Sequence, residues 1–323
     1  MTSNEAKTQA YDNERIVEQT GTNAWQAKVV WSWSKSLWIS SMTLIGVVGA
    51  IYTFSVENTL VFLISTAVTL SLGHSLGMHR RFIHQSYQCP KWLEHLFVYF
   101  GVLVGLAGPY GMMFTHDLRD WAQRQRRCHP YFGHKASFFK DGFWQMHCDI
   151  ILKKPPLFAP EKEVADDRFY QFVEKTWMWQ QLPVALFFYF IGGVDWVIWG
   201  VCLRVAVSVT GHWLVGHFAH NTGHREWHVE GAAVQGFNIK FLGLISMGEC
   251  WHNNHHAFPN SALLGIHDNQ ADPGWWVLKF LEKIKLVWGI KLPKDLPVRP
   301  ELVEIKGDTH IEQSPFNFDF KLL

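Results

Sequence analysis

Apolar and polar positions divide the chain into long uncharged stretches separated by polar segments. The stretch from Leu37 to about Phe54 carries no charge, and neither does the stretch from Thr59 to about Met78, which holds His74. Each is roughly the 20 residues a helix needs to cross a bilayer, so the two read as a helical hairpin over about 37–54 and 59–78. The apolar run from Trp177 to about Gly216 is too long for one crossing and is broken at Gly192-Gly193-Val194-Asp195. That pattern predicts two spans, about 177–192 and 196–216, joined by a tight turn. The run from Leu93 to Phe114 is interrupted by His95, Gly101, Gly105, Gly108 and Pro109. As a full crossing it would carry the basic segment from Arg124 to Arg127 to the far side, so it reads as a segment that enters and leaves on one side or lies along it.

Charge orients these spans. Lys28 and Lys35 precede the first and Arg80-Arg81 follow the second, whereas the connection Phe54-Ser55-Val56-Glu57-Asn58 has no basic residue. The positive-inside rule then puts both outer ends in the cytoplasm. The expected fold is all-α: an integral, multi-pass membrane protein with four transmembrane helices and a cytoplasmic helical cap made of residues 79–176 and 217–290. One membrane domain covers 36–290. Residues 1–35 read as a polar, solvated N-terminal tail without a signal-peptide pattern, and 291–323 as a C-terminal tail, with both termini cytoplasmic. Asp272-Pro273-Gly274 starts a helix, Asp as N-cap and Pro in the first turn, whose Trp275, Trp276, Leu278, Phe280 and Leu281 among lysines suit a membrane surface.

Composition narrows the function. With 29 basic and 28 acidic side chains and no block of like charge, nothing supports a nucleic-acid partner, which needs clustered cations to neutralise phosphates. Five cysteines without a CxxC pair argue against a disulfide scaffold or a zinc ribbon. The 17 tryptophans suit a lipid–water boundary. The 18 histidines need their own explanation. Most gather at four places: His79 and His84; His116, His129 and His134; His212, His217, His220 and His224; and His252, His255 and His256 with nearby His267. His252, His255 and His256 lie at i, i+3 and i+4, so one helical face would project three imidazoles. Imidazole suits iron, zinc, copper or nickel, and a set of eight or more exceeds one four-coordinate ion, which points to a two-metal centre. Isolated His95, His147, His228 and His310 read as ordinary surface or core residues, and His212, His217 and His267 lean the same way.

Those residues resemble the integral-membrane fatty acyl desaturases of the stearoyl-CoA and acyl-lipid delta-9 type. The family's first box, HxxxxH, resembles His79-Arg80-Arg81-Phe82-Ile83-His84. Its last box, GExxHNxHHxFP, resembles the run Gly248-Glu249-Cys250-Trp251-His252-Asn253-Asn254-His255-His256-Ala257-Phe258-Pro259. The isolated histidine of its NSxxH setting resembles His224, with His220 in place of an asparagine. The middle box, WxxxHRxHH, departs: from Trp121 this chain keeps only His129, and Gln125 and Cys128 stand where ligands are expected. Either fewer metals bind or His134, His116 and His220 complete the site, and a rearranged site is the expectation.

The resemblance implies O2-dependent desaturation of a long-chain fatty acyl substrate, linked to CoA or to a lipid, at two non-haem iron ions. The expected metal ligands are His79, His84, His129, His134, His220, His224, His252, His255 and His256. Glu249, Asn253, Asp117 and Asp120 would orient them from outside. With no flavin fingerprint, cluster-forming cysteine run or appended haem domain, an external electron donor such as a ferredoxin or a small b-type cytochrome is implied, beside membrane lipid. Hydroxylation or oxygenation at the same centre is the enzymatic alternative; a non-catalytic metal-binding membrane protein is the other. Arg204, inside the last span, either meets an acyl head group or pairs with another helix. Arg119, Arg124, Arg126 and Arg127 either hold a head group or reach to anionic lipid.

Overall fold

The computed structural model describes residues 15 to 312, with side chains to residue 305. The chain is mainly helical, and three helices are long and apolar enough to cross a membrane. They are α1 (Trp33–Tyr52), α2 (Val56–Ile83) and α7 (Gln181–Ala219). Their outward faces expose Leu44, Ile51, Leu60, Ile64, Phe187 and Phe190, an apolar surface that water would not favour and lipid would. Ser55 caps α2, its hydroxyl accepting from the Asn58 N–H at 3.0 Å, with Glu57 in the first turn. The 39-residue α7 is interrupted at Gly193, whose φ of +70° and ψ of −161° no helix contains. Glycine is what lets the chain turn there.

Between the spans, α3 (Lys91–Leu103) and α4 (Pro109–Arg124) form a hairpin, followed by α5 (Phe138–His147) and α6 (Arg168–Thr176). After α7 come the short α8 (His252–Ala257) and α9 (Pro273–Lys283), the latter capped by Asp272, whose carboxylate accepts from Trp275 N–H at 2.9 Å. Trp276 and Phe280 lie exposed on α9, as its amphipathic pattern predicts.

The histidine-bearing end of α2 sits between two apolar clusters. Leu76, Tyr87, Leu93, Phe97 and Leu278 join it to α3 and α9. Met78, Phe82, Val98, Met113 and Tyr170 join it to α3, α4 and α6. Helices α2 and α3 touch backbone to backbone: a Cβ at Gly73 would lie 2.3 Å from the Phe100 carbonyl carbon, and one at Gly77 2.5 Å from the Phe97 oxygen. Buried Arg80 donates to Asp272 Oδ1 at 2.7 Å and so ties α2 to the cap of α9. Arg204 is a helix-pairing residue. Its guanidinium donates to the Gly200 carbonyl at 2.7 Å, to Gln181 Oε1 at 2.6 Å and to the Leu103 carbonyl that ends α3.

Three readings change. The fold is not purely helical, because three two-stranded ladders tie the polar layer together. The described part of the N-terminal tail is packed: β1 (Ile16–Val17) pairs with β4 (Leu157–Phe158), and β2 (Ala27–Trp31) pairs antiparallel with β3 (Cys148–Leu152). Arg15 donates to Asp117, Glu161 and the Ile83 carbonyl at 2.8–3.0 Å. Likewise β6 (Leu302–Glu312) pairs with β5 (Thr222–Val229), so the start of the C-terminal tail is a strand. The N-terminal strands, two to five residues long, are too short for their alternation to stand out, whereas β5 and β6 are polar segments whose pairing with each other sets the ladder. Residues 1–14 and 313–323 lie outside the described residues.

Gly73→Ala is expected to force α2 and α3 apart at a cost of about 1–3 kcal/mol, the usual range for overpacking. A lower melting temperature in detergent checks this, and an unchanged melting point would show that the two helices tolerate separation.

Candidate metal centre

The first box is placed by an unusual helix. At 3.6 residues per turn, side chains five apart point about 140° away from each other. From Thr69 to Ile83, α2 widens to the i→i+5 pattern, continued by the His84 N–H donating to the His79 carbonyl at 3.0 Å. Five residues then make about one turn, and the rings of His79 and His84 come within 4.8 Å. His116 from α4 and His255 from α8 close the group: His84 Nε2 is 3.2 Å from His116 Nε2, and His79 Nε2 is 3.4 Å from His255 Nε2.

A second cluster lies alongside. His220, which ends α7, places Nε2 3.1 Å from His252 Nε2, and His256 Nε2 is 3.1 Å from His252 Nε2. Helix α8 serves both groups, because His252 and His256 are one turn apart while His255 points to the first cluster, its ring 5.7 Å from that of His252. The loop ahead of α8 needs Gly248 twice over. Its φ is +92°, and a Cβ there would lie 2.3 Å from Asp272 Oδ1.

The donor spacing fits metal. Bonds of about 2.0–2.1 Å put neighbouring nitrogens roughly 2.9 Å apart at right angles and roughly 3.4 Å apart at tetrahedral angles. The nearest nitrogen pairs in the two clusters, 3.1–3.4 Å apart, fall in that interval, and all donor atoms of each group lie within 4.8 Å of one another. Two carboxylates stand behind the first group. Glu249 Oε2 is 2.6 Å from His79 Nδ1, and its Oε1 accepts from the Ser75 hydroxyl at 2.6 Å. Asp117 Oδ1 is 3.2 Å from His116 Nδ1, while its other oxygen accepts from Arg15 at 3.0 Å. A carboxylate at Nδ1 keeps the proton there and turns the Nε2 lone pair toward the centre. Burial alone would raise the Glu249 and Asp117 pKa values, but neighbouring imidazoles hold both below the usual range. In the second cluster the His220 Nδ1–H donates to the Gly216 carbonyl at 2.7 Å, with the same effect on its tautomer.

The structure brings together six of the nine histidines expected as ligands: His79, His84, His220, His252, His255 and His256. It does not bring the other three. His129 lies beside Trp144, its ring centre 5.9 Å away. His224 belongs to β5, with Nε2 3.3 Å from Glu226. His134 stands apart from both clusters in a third group of possible donors with Asp141 and His217, its Nδ1 2.9 Å from Asp141 and its Nε2 2.7 Å from Arg119. Among the orienting residues, Asp120 pairs with Arg124 at 2.8 Å, and Asn253 accepts from the backbone of Glu226 and Trp227 at 2.9 Å. Neither contact involves an imidazole.

The positions of two motifs move accordingly. The middle box begins at His116 and runs His116-Asp117-Leu118-Arg119-Asp120, so Arg119 and Asp120 stand where two further histidines are expected. Gln125 and Cys128 are no part of it. The NSxxH setting falls on Gly216-His217-Phe218-Ala219-His220, with Gly216 at the asparagine position. A Cβ at Gly216 would lie 3.0 Å from His134 Nε2, and the His134 ring stacks 5.3 Å from that of His220. Sequence reasoning missed Asp141 and His217. Asp141 Oδ2 accepts from His134, His217 and Trp213 at 2.8–2.9 Å, a buried hub beside the second cluster. Its only signal is an acid within reach of a histidine-rich helix end.

These features define a class: an enzyme-like histidine cluster pair at the polar end of membrane-length helices. Comparison with known proteins narrows it. No family model matches the chain. An sn-1 stearoyl-lipid 9-desaturase of Anabaena variabilis is 30% identical over 265 residues, 79% of this chain and 94% of that protein. An sn-1 stearoyl-lipid 9-desaturase of Synechocystis sp. is 31% identical over 71% of this chain and 70% of its own length. An acyl-CoA C20 Delta5-desaturase of Anemone leveillei is 29% identical over 76% and 78%. The chain belongs to the fatty acyl desaturase family, and it is an oxidoreductase.

Burial lowers the pKa of His134 from 6.5 to about 4, helped by Arg119, and that of His252 to about 3, helped by His79. The unfolded chain therefore takes up these protons near pH 6.5 and the native fold only far lower, so acid favours unfolding. Metal-free protein is expected to lose stability steadily as pH falls from about 6.5 to about 4. Thermal unfolding with a chelator checks it; a melting point constant across that window would show that these rings are not buried in neutral form.

Proposed function

We propose that the chain is an O2-dependent membrane desaturase of long-chain fatty acyl groups, linked to CoA or to a lipid, with one non-haem iron in each histidine cluster. The observation that carries this reading is the pair of clusters themselves, four imidazoles beside three, served by the two faces of α8. Two irons bound there, with O2 and electrons, supply the oxidising power that breaks an unactivated C–H bond and that side chains lack. The protein's own task is holding and shielding. Glu249 and Asp117 fix the tautomers of His79 and His116, and the apolar clusters around α2 hold the four-histidine group in place.

Four crossings are supported by the break at Gly193. A 39-residue helix would be about 58 Å long at 1.5 Å per residue, nearly twice the hydrocarbon thickness. With four crossings the basic residues put both termini and the metal centre on the cytoplasmic side. A ferredoxin or small b-type cytochrome docks on that polar face as electron donor, and lipid surrounds the spans.

His84→Ala is expected to empty the four-histidine site and His256→Ala the other, each lowering iron from about two to about one per chain. Elemental analysis of purified protein reads this. Expression in a host with no desaturase of its own is expected to yield new unsaturated acyl chains, abolished by His255→Ala. Iron-free protein together with an unchanged acyl profile would overturn the proposal; hydroxylated products would replace desaturation with oxygenation at the same centre.

A further inference from the structure

The surfaces of α2 and α7 that meet on the membrane side of the first cluster are more polar than contact with an alkyl chain requires. His74 precedes His79 by one widened turn, and their rings stack at 6.5 Å. Across from it, His212 of α7 meets His74 edge to face at 5.1 Å. Neither ring belongs to a metal-binding group among the described residues. Ser208 lies one turn from His212 on the same face of α7, whereas Ser71, three residues before His74 in the widened part of α2, lies off the His74 face. Both serines are more than nine-tenths buried, at 3% and 8% exposure. The Ser71 and Ser208 hydroxyls, His74 Nδ1 and the Thr66 hydroxyl all lack a hydrogen-bond partner.

Buried polar groups without partners are costly and uncommon. Two of them, His74 Nδ1 and the Ser208 hydroxyl, belong to the face where His74 meets His212 and call for a ligand that satisfies them. The site is reachable: a Cβ at Gly211, beside His212, would meet nothing within 4 Å, and His212 is exposed although it packs on His74. An unsubstituted methylene chain offers no donor or acceptor, so a passage built for it alone would leave these groups unpaired along its whole length.

We propose that the acyl chain this site takes carries an oxygen function, a hydroxyl or a keto group, that lies next to His74 and His212 while the reacting carbons lie at the first cluster. This deepens the desaturase reading and rests on it. The oxygen accepts from one imidazole N–H, and a hydroxyl also donates to the other ring or to Ser208. Position selection then comes from a hydrogen bond at a fixed distance from the metal centre. An apolar tunnel can choose a carbon only through its depth and bend.

The test uses iron-loaded, detergent-purified full chain and measures displacement of a fluorescent fatty acid by stearate and by a positional series of hydroxystearates. One hydroxyl position is expected to bind on the order of ten-fold more tightly than stearate, since a site made for a hydroxyl rejects the chain that lacks it. His74→Leu and His212→Leu, and more mildly Ser208→Ala, are expected to abolish that preference while iron content and stearate affinity hold. Equal binding of stearate and every hydroxystearate overturns the inference, as does a preference that survives both leucine variants in iron-loaded protein. Plain-chain desaturation in the host would leave the parent reading standing in either case. An iron-free protein that binds no chain would remove both.

Discussion

Two histidines five residues apart must face the same point, and an ordinary α-helix turns them away from each other. The widened turn between Thr69 and Ile83 resolves this, and much of the surrounding structure serves to keep it. Glycine at positions 73 and 77 lets α3 lie directly against the backbone of this widened segment. Arg80 then anchors the same turn to Asp272, which also caps α9 and accepts from the Leu264 and Gly265 N–H groups. One carboxylate thereby couples the first histidine box to the loop that follows the last.

The two clusters differ in kind. The first has four imidazoles, two of them backed by carboxylates. The second has three, and its neighbour Gln123 donates its amide to His220 Nε2 at 3.0 Å and to the Phe132 carbonyl at 2.7 Å. Where the family motif would offer two more histidines, Arg119 and Asp120 are tied into other networks: Arg119 to His134, Phe132 and Gln145, Asp120 to Arg124. The Asp141 hub takes up the space that Gly216 leaves open. Beside the three-imidazole cluster there is thus a buried hydrogen-bonded assembly centred on Asp141.

Much of this was legible in the chain. The hairpin of spans, the break at Gly193, the cap at Asp272 and the last histidine box follow from apolar length, glycine chemistry and helical spacing, all local properties. What escaped was non-local. Asp117 was expected as an orienting residue and His116 as one that could complete the site, but that the two join the first cluster depends on α4 packing under α2, which no spacing within residues 109–124 announces. The neighbouring run from Trp121 to His129 imitates the motif by composition, which drew attention to Gln125, Cys128 and His129. His220 and His224 sit four apart and either suits a ligand by sequence. The strand that begins at Thr222 decides between them by carrying His224 away. The strands near both termini were hidden for a related reason, since a two- or five-residue ladder at one end and a polar, bulged one at the other are set by their partners more than by their own pattern.

Locating the ions in metal-loaded protein by anomalous scattering at the iron edge tests the central claim most directly. Two peaks are expected, one ringed by His79, His84, His116 and His255 and the other by His220, His252 and His256. A single peak, or density between His134, Asp141 and His217 in place of either, would contradict it.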